Sequence, residues 1–333
     1  MKLDGKKVLF IGQGFYQYDR SIIDQIKMFG ADVEYSIELI VSNKMKLQKL
    51  LKQRTQFNNS IFKREETILD RYKNNYFDFI FVVGARHLSA DFYCKLKKNH
   101  NNAKFILYLW DSVSTTKDFF EKEKYFDKIL TFDRIDSLNF PKLVFRPLFY
   151  LKEFHNDDGV TKSNDEYNDV FFIGRLYGDR ISLLRKIKRE CDSKSFKSEL
   201  TLFAEIGGDF IHSLSTNFIK ITDFNIITFL PLSLLEISKK MKNSISILDT
   251  ELIYQSGLTI RTIETIGCNK KLITTNKDVV NYDFYDPNRV LVIDREHPVI
   301  PIEFIKAPMI QYENNILERY SLNYWIRDIF NQQ

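Results

Sequence analysis

The chain alternates short, continuously apolar runs with longer segments of helical spacing, and this alternation restricts it to an α/β architecture. In the first half the apolar runs lie at residues 7–12, 77–84, 104–110 and 128–132, and a further strand is expected to start at 32–35. A strand that is apolar at every position is typical of a parallel sheet covered by helices on both faces. The pattern therefore predicts a doubly wound α/β domain at the start of the chain.

The same pattern begins again after a polar stretch. A chain of 333 residues is longer than one hydrophobic core usually serves, so two domains are expected. We predict domains at 1–151 and 170–312, a linker at 152–169, and a helical tail at 313–333. The apolar runs of the second domain lie at residues 170–174, 200–203, 244–248, 271–274 and 290–293.

Composition is that of a soluble globular protein, with 44% hydrophobic and 28% charged residues. Three widely spaced cysteines, Cys94, Cys191 and Cys268, form no metal-ligand or redox pattern. The sequence shows no signal peptide and no apolar run of about 18 residues, the length that would predict a membrane span. We therefore expect a cytoplasmic protein.

Basic residues are concentrated between Lys44 and Lys73, where nine of them stand against three acidic residues, with Leu and Ile at helical spacing. An ordinary solvated helix face is the simpler interpretation. A basic amphipathic segment can also rest on anionic headgroups, which would place the protein peripherally on the cytoplasmic face of the inner membrane. The net charge of +5 is mild and this excess is local, so nucleic-acid binding is not expected.

The densest polar pattern follows the apolar run at 244–248. A loop with Ser256 and Gly257 leads into a helix from about Leu258, and free backbone N–H groups at a helix start attract anions such as a diphosphate. Glu264, on the first turns of that helix, could accept the hydroxyls of a ribose. The residues predicted to bind a nucleotide in this segment are Ser256, Gly257, Leu258, Thr259, Arg261 and Glu264.

The segment Ser256–Asn276 resembles the donor site of GT-B glycosyltransferases, especially the CgeB-like and glycosyl-transferase-group-1 proteins of bacterial capsule and lipopolysaccharide biosynthesis. The resemblance gives Glu264 the role of binding the nucleotide ribose. Ser256 stands where that family has the first glutamate of its Glu-x7-Glu pattern, which leaves a retaining or an inverting outcome open.

A second segment, Phe171–Arg180, resembles the opening strand and loop of the GT-B C-terminal domain, where a glycine and a basic residue meet the donor phosphates. This assigns Gly174 and Arg175 to the phosphates, with Arg180 and Arg261 as alternatives. A guanidinium suits this role because it holds two phosphate oxygens at once.

Taken together, the resemblances imply the GT-B fold: two Rossmann-like, doubly wound domains facing a central cleft, with the last helix packing back on the N-terminal domain. They also imply a UDP- or GDP-sugar donor on the C-terminal domain and an acceptor on the N-terminal domain. The implied reaction extends a surface glycan (capsule, O-antigen or lipooligosaccharide), with a glycan or lipid-linked glycan as acceptor.

Gly12, Gln13 and Gly14 follow the first apolar run. A dinucleotide fingerprint would need a third glycine at position 17, where Gln17 stands, although Glu34 matches the position of a ribose-binding acid. We interpret Gly12–Gly14 as an acceptor-side loop. The alternatives are an NAD-dependent dehydrogenase or sugar epimerase, and a non-catalytic scaffold subunit of polysaccharide assembly.

Two residues are candidates for the catalytic base, which an inverting transferase needs to take the proton of the acceptor hydroxyl. Asp111 and His87 each follow an apolar run and should lie at the carboxyl edge of the first sheet. A helix cap for Asp111 and a structural loop histidine for His87 are the competing interpretations.

Metal chemistry has little support in the sequence. No Asp-x-Asp pair occurs, and the five histidines are scattered. We predict no metal and no cofactor besides the nucleotide sugar.

Overall fold

The structure is a computed structural model, and it describes residues 2–38, 54–156, 167–205, 219–252 and 255–331. It divides into two compact units. Unit 1 comprises Met1–Pro147 and Leu322–Gln333, and unit 2 comprises Leu148–Ser321. Unit 2 thus begins ahead of the polar stretch at 152–169. Residues 157–166 of that stretch and 44–53 of the basic segment lie outside the described residues.

Unit 1 contains a six-stranded parallel sheet of order β2-β1-β3-β4-β5-β6. Its inner strands are continuously buried, as the apolar runs predicted. The strands are β1 (Lys7–Gly12), β2 (Asp32–Ile37), β3 (Phe79–Val83), β4 (Lys104–Leu109), β5 (Lys128–Thr131) and β6 (Leu143–Phe145).

Helices connect these strands, as a parallel sheet requires. Apolar side chains of the sheet and helices form one buried cluster, which includes Leu9, Val82, Leu107 and Phe92. The helices are α1 (Tyr16–Met28), α2 (Arg54–Tyr72), α3 (Ala90–Asn99), α4 (Phe119–Lys122) and α5 (Arg134–Asn139).

Unit 2 repeats the architecture with a parallel sheet of order β12-β11-β10-β7-β8-β9. The strands are β7 (Asn168–Arg175), β8 (Ser198–Phe203), β9 (Ile227–Thr228), β10 (Ser244–Asp249), β11 (Lys271–Thr274) and β12 (Val290–Val292). The helices are α6 (Arg180–Ser193), α7 (Leu234–Lys242), α8 (Ile260–Gly267), α9 (Ile302–Lys306) and α10 (Asn314–Arg319).

The chain ends in α11 (Leu322–Phe330), which belongs to unit 1. Its Trp325 is fully buried, with ring centroids 4.7 Å from Tyr108 and 5.9 Å from Phe81. The tail predicted to be helical at 313–333 contains two helices and not one continuous helix. The helix is interrupted at Tyr320 and Ser321, where the Tyr320 carbonyl accepts a hydrogen bond from the Tyr150 N–H at 2.9 Å instead of continuing the helical ladder.

The doubly wound α/β architecture is confirmed in both halves, but two strands escaped the sequence pattern. β6 and β9 are edge strands of only three and two residues, too short to stand out as strands in the sequence. Within the described ranges, every helix falls short of the length and apolar character needed to cross a bilayer.

Candidate functional site

The carboxyl ends of the unit 2 strands bring together most of the residues predicted to bind a nucleotide. Arg175 ends β7, and Asp249 ends β10 just before the segment that starts α8. In open parallel sheets, ligands bind outside this edge, where strand ends and helix starts present polar groups. We call it the unit 2 edge.

The start of α8 is closed by residues of its own unit. Thr259 is the N-cap, and its hydroxyl oxygen accepts hydrogen bonds from the backbone N–H groups of Arg261 and Thr262. Asp249 Oδ2 accepts from the hydroxyls of Thr259 at 2.7 Å and Thr262 at 2.6 Å. These contacts fix where the helix begins relative to β10, and they satisfy two of the N–H groups left free at a helix start.

Glu264 lies inside unit 2. Its side chain is fully buried, and Glu264 Oε2 lies 2.6 Å from Arg261 Nη1, one helical turn away. Arg261 Nη1 also donates to Met241 Sδ at 3.0 Å. The structure therefore brings two of the predicted nucleotide-binding residues together as an ion pair, and the ribose contact of Glu264 stays a prediction.

The loop before α8 is held by amide side chains. Asn276 Nδ2 donates to the Ser256 carbonyl at 3.0 Å, and Gln255 Nε2 donates to the Gly257 carbonyl at 2.9 Å. Leu258 is 2% exposed and anchors the loop in the core. These contacts leave Ser256 and Gly257 at the unit 2 edge.

Gly174 is closely packed, whereas the side chain of Arg175 is exposed. A Cβ on Gly174 would come 2.7 Å from the Phe172 ring, so packing alone accounts for the glycine. The Arg175 side chain is 61% exposed, and its Nη2 lies 3.2 Å from Glu205 Oε2. Arg175 is thus at the sheet edge in a solvated ion pair.

Arg180, an alternative phosphate-binding residue from the sequence, is more buried than Arg175 and donates to backbone carbonyls. Its Nη2 donates to the Thr250 carbonyl at 2.8 Å and its Nη1 to the Arg175 carbonyl at 3.3 Å. Burial lowers the pKa of this guanidinium, and no carboxylate of the described residues lies within ion-pair distance of it. A largely buried cation whose hydrogen bonds all go to carbonyl oxygens, at the edge of a parallel sheet where ligands commonly bind, is chemically suited to receive a phosphate.

Arg295, which follows β12, forms the centre of a network that the sequence did not reveal. Its Nε and Nη2 donate to the two oxygens of Asp179 at 2.9 and 3.0 Å, and its Nη1 donates to Glu251 Oε1 at 2.7 Å. The Thr275 hydroxyl donates to Glu251 Oε2 at 2.6 Å. The Arg295 guanidinium holds the pKa of Asp179 below its usual value, whereas burial raises that of Glu251. A basic residue shortly after a predicted strand was the only available signal.

In unit 1, the Gly12–Gly14 loop packs against the carboxylate of Asp19, a residue of the following helix α1. The Gly14 N–H donates to Asp19 Oδ2 at 2.8 Å, and the Tyr35 hydroxyl donates to the same oxygen at 2.7 Å. A Cβ on Gly12 would lie 2.5 Å from that oxygen. The buried Asp19 carboxylate thus stands where a dinucleotide phosphate would need the loop amides, which disfavours an NAD site here. Gln13 lies over Gly84, at the end of β3.

Asp111 and His87 lie in neighbouring loops at the carboxyl edge of the unit 1 sheet. Asp111 Oδ2 is 3.8 Å from Arg86 Nη1, and both side chains are partly solvated. Asp111 is not a helix cap, because Ser112 occupies the N-cap position of the following turn. The His87 N–H donates to Glu38 Oε1 at 2.5 Å. Trp110, before Asp111, packs its ring 6.4 Å from Phe15.

No metal centre emerges from the residues that can be placed: among them, no group of three or more His, Cys, Asp and Glu side chains could hold an ion.

The chain matches no protein-family model and no curated protein. Its fold is nevertheless shared with many solved structures. Anabaena HepE in complex with UDP superposes with a TM-score of 0.59 at 12% identity, covering 97% of this chain and 98% of that one. A glycosyltransferase from Rickettsia africae gives a TM-score of 0.57 at 13% identity, covering 97% and 96%. The UDP-GlcNAc 2-epimerase of Methanocaldococcus jannaschii, in complex with UDP-GlcNAc and UDP, gives 0.57 at 12% identity, covering 97% and 99%. The chain therefore has the two-domain α/β fold of the GT-B class.

Proposed function

We propose that this chain is a glycosyltransferase that takes a sugar from a nucleotide-sugar donor, bound at the unit 2 edge, and adds it to a growing bacterial surface glycan. UDP is the nucleotide we favour, because two of the similar structures hold it. The reaction proceeds without a metal, with guanidinium groups and the start of α8 stabilising the leaving diphosphate. The protein works in the cytoplasm, and its basic segment contacts the inner membrane or an anionic lipid-linked acceptor.

The proposal depends on the position and the hydrogen-bond partners of Arg180. It lies between the ends of β7 and β10, mostly buried, with carbonyl oxygens as its hydrogen-bond acceptors. The carboxylates of Asp249, Asp179 and Glu251 act on this guanidinium only through space, and none forms an ion pair with it. Burying a cation without an ion-pair partner is costly, so such a group is retained where a ligand supplies the anion. A nucleoside diphosphate supplies two charged phosphates, and Arg180 can donate to either.

The test is nucleotide binding by calorimetry, with UDP, GDP and their sugars, to the wild-type chain and to Arg180→Met. Removing a charge-assisted hydrogen bond should weaken UDP binding by roughly tenfold to a hundredfold. Arg189→Met is the matched control, since Arg189 lies on the same helix and is exposed. Equal UDP affinity in Arg180→Met and Arg189→Met would contradict the proposed diphosphate contact.

Glu264→Gln tests the ribose assignment in the same assay. Because Glu264 pairs with Arg261, this substitution should also lower the thermal stability. Stability and affinity are therefore measured separately. If the melting temperature falls while UDP affinity holds, Glu264 supports the fold and does not bind the ribose.

Epimerisation of a nucleotide sugar is the second candidate, favoured by the likeness to the M. jannaschii epimerase. The two reactions differ in their products. A transferase releases UDP from a UDP-sugar, whereas an epimerase yields an isomer with the nucleotide still attached. Chromatography of the reaction mixture distinguishes them, and the absence of both products in the presence of binding would favour a non-catalytic scaffold.

A further inference from the structure

The loop Gly84–Ser89 follows β3 and is here called the β3 loop. Buried charged side chains of other elements form hydrogen bonds with its backbone. It carries His87, a candidate base, and Arg86, which lies 3.8 Å from the other candidate, Asp111. Its backbone is unusual, because Ala85 is buried with a φ of 54°. A non-glycine residue in this left-handed region is strained, so other contacts must hold it there.

Glu38 provides one set of these contacts. It follows β2 and is 1% exposed, and its Oε1 accepts the N–H groups of His87 at 2.5 Å and Leu88 at 3.1 Å. Two backbone donors on one carboxylate oxygen fix the direction of the peptide groups around His87. Glu65 extends the arrangement, accepting the Ser89 N–H at 2.6 Å.

Lys122 provides the contact on the strained residue itself. It ends α4 and is 1% exposed, and its Nζ donates to the carbonyls of Ala85 at 3.0 Å and Lys117 at 2.7 Å. Burial lowers the pKa of Lys122 and raises that of Glu38, and each charge opposes the shift of the other. Two ionisable groups are thus buried under one short loop.

Two buried charges gain the fold little stability, since apolar side chains of similar volume usually stabilise a core at least as well as buried ionised groups do. The two charged groups instead fix the orientation of the loop backbone. The Lys122 ammonium donates to the Ala85 carbonyl, and the Glu38 carboxylate accepts from the His87 and Leu88 N–H groups. Without them, the loop can relax to an unstrained φ, and Arg86 and His87 would change position with it.

We propose that Glu38 and Lys122 are positioning residues, which hold the β3 loop so that Arg86 stays beside Asp111 and His87 keeps its place at the acceptor side of the reaction. This inference rests on the proposed transferase function. It adds that the geometry at the acceptor is fixed by two buried charges, each bonded to the backbone, that touch neither the donor nor the acceptor.

The test compares Lys122→Met with Lys128→Met. Lys128 makes the same kind of contact in the same unit, because its Nζ donates to the Asp328 and Ile329 carbonyls at the end of α11. It lies at the start of β5, away from the β3 loop. Hydrogen exchange of the His87 and Leu88 amides measures how firmly the loop backbone is held. Steady-state transfer kinetics and UDP binding measure the effect of a loosened loop on the reaction and on donor binding.

We expect Lys122→Met to speed exchange of the His87 and Leu88 amides by about tenfold or more and to lower kcat for transfer by a similar factor, with UDP affinity unchanged. Lys128→Met should leave loop exchange and kcat unchanged even if it lowers the melting temperature. Glu38→Gln, which keeps an acceptor oxygen for both amides, should retain more activity than Glu38→Leu.

Unchanged loop exchange in Lys122→Met, or equal kcat losses in Lys122→Met and Lys128→Met, would overturn the positioning role. If Lys122→Met does not fold, the ranking of Glu38→Gln and Glu38→Leu decides: equal kcat for these two variants overturns it as well. Failure of the proposed function looks different, because the wild-type chain would then release no UDP from a UDP-sugar, whatever the exchange rates of the loop amides.

Discussion

Several buried charged side chains among the described residues form hydrogen bonds with main-chain groups. Lys271, at the start of β11, donates from Nζ to the carbonyls of Ile305 at 3.3 Å and Ala307 at 2.6 Å, and so closes the end of α9. Asp19 and Glu38 accept backbone N–H groups in unit 1. Such contacts satisfy backbone groups that would otherwise be buried without partners.

Lys270 is a buried charge of another kind, and its pH dependence can be predicted. It is 8% exposed, and its Nζ lies 4.9 Å from the centroid of the Tyr167 ring. Burial lowers the pKa of Lys270 from 10.5 to about 8. The folded state therefore binds this proton less tightly than the unfolded state, and between pH 8 and pH 10.5 the stability contributed by this group rises with pH.

Lys270→Met should accordingly raise the free energy of unfolding at pH 7, by up to about 3 kcal/mol, and by only about 1 kcal/mol at pH 10. Urea unfolding at both pH values measures the two differences. The exposed Lys239→Met is the control, because it removes a lysine that has no burial cost. A gain that is equal at pH 7 and pH 10 would mean that burial of the ammonium is not its cause.

At the scale of elements, α8 shows how one short helix is placed by the strand before it. Thr259 both caps the helix and donates to Asp249, so a single hydroxyl connects the helix start to the end of β10. The helix then continues with six buried residues in succession from Thr262 to Gly267. The position of the proposed diphosphate site therefore depends on this hydroxyl.

Thr259→Ala should lower the free energy of unfolding by about 1 kcal/mol, because the N-cap hydroxyl and one partner of Asp249 are lost together. Thr259→Ser keeps the hydroxyl and should cost less than about half of that. Denaturant unfolding of both variants measures the difference. If serine proves as destabilising as alanine, the lost methyl contacts are responsible and the cap contributes little.

At the scale of the whole molecule, the chain forms unit 1, then all of unit 2, and returns to unit 1 for its last helix. The stability of unit 1 therefore depends on residues that are more than 170 positions from the rest of its sequence. Trp325 makes this dependence concrete, since its fully buried indole lies against the rings of Tyr108 and Phe81 on the sheet.

Trp325→Ala should destabilise unit 1 by about 3–5 kcal/mol, the usual cost of removing a buried indole from a core. Amide exchange separates the units: protection should fall along β1 and β3 and stay at wild-type values along β7 and β10. Trp325→Phe, which fills part of the space, should lose less. Equal loss of protection in both sheets would show that the two units unfold together.

The apolar runs, together with the strand start at 32–35, predicted ten of the twelve described strands and the parallel, two-domain α/β fold, because a strand buried on both faces must be largely apolar. The glycines and polar residues at strand ends correctly marked the sheet edges. β6 and β9 were missed because three and two residues are too few to show a pattern.

Sequence alone thus determined the architecture and the edges at which polar residues gather, because both follow from local periodicity. The tertiary structure decided which charges meet there. Arg295 and Asp179 are 116 positions apart, and Glu38 and His87 are 49 apart, and no local pattern reports such pairings. Each pairing depends on where separate strands end in three dimensions, which is set by the order of strands in the sheet.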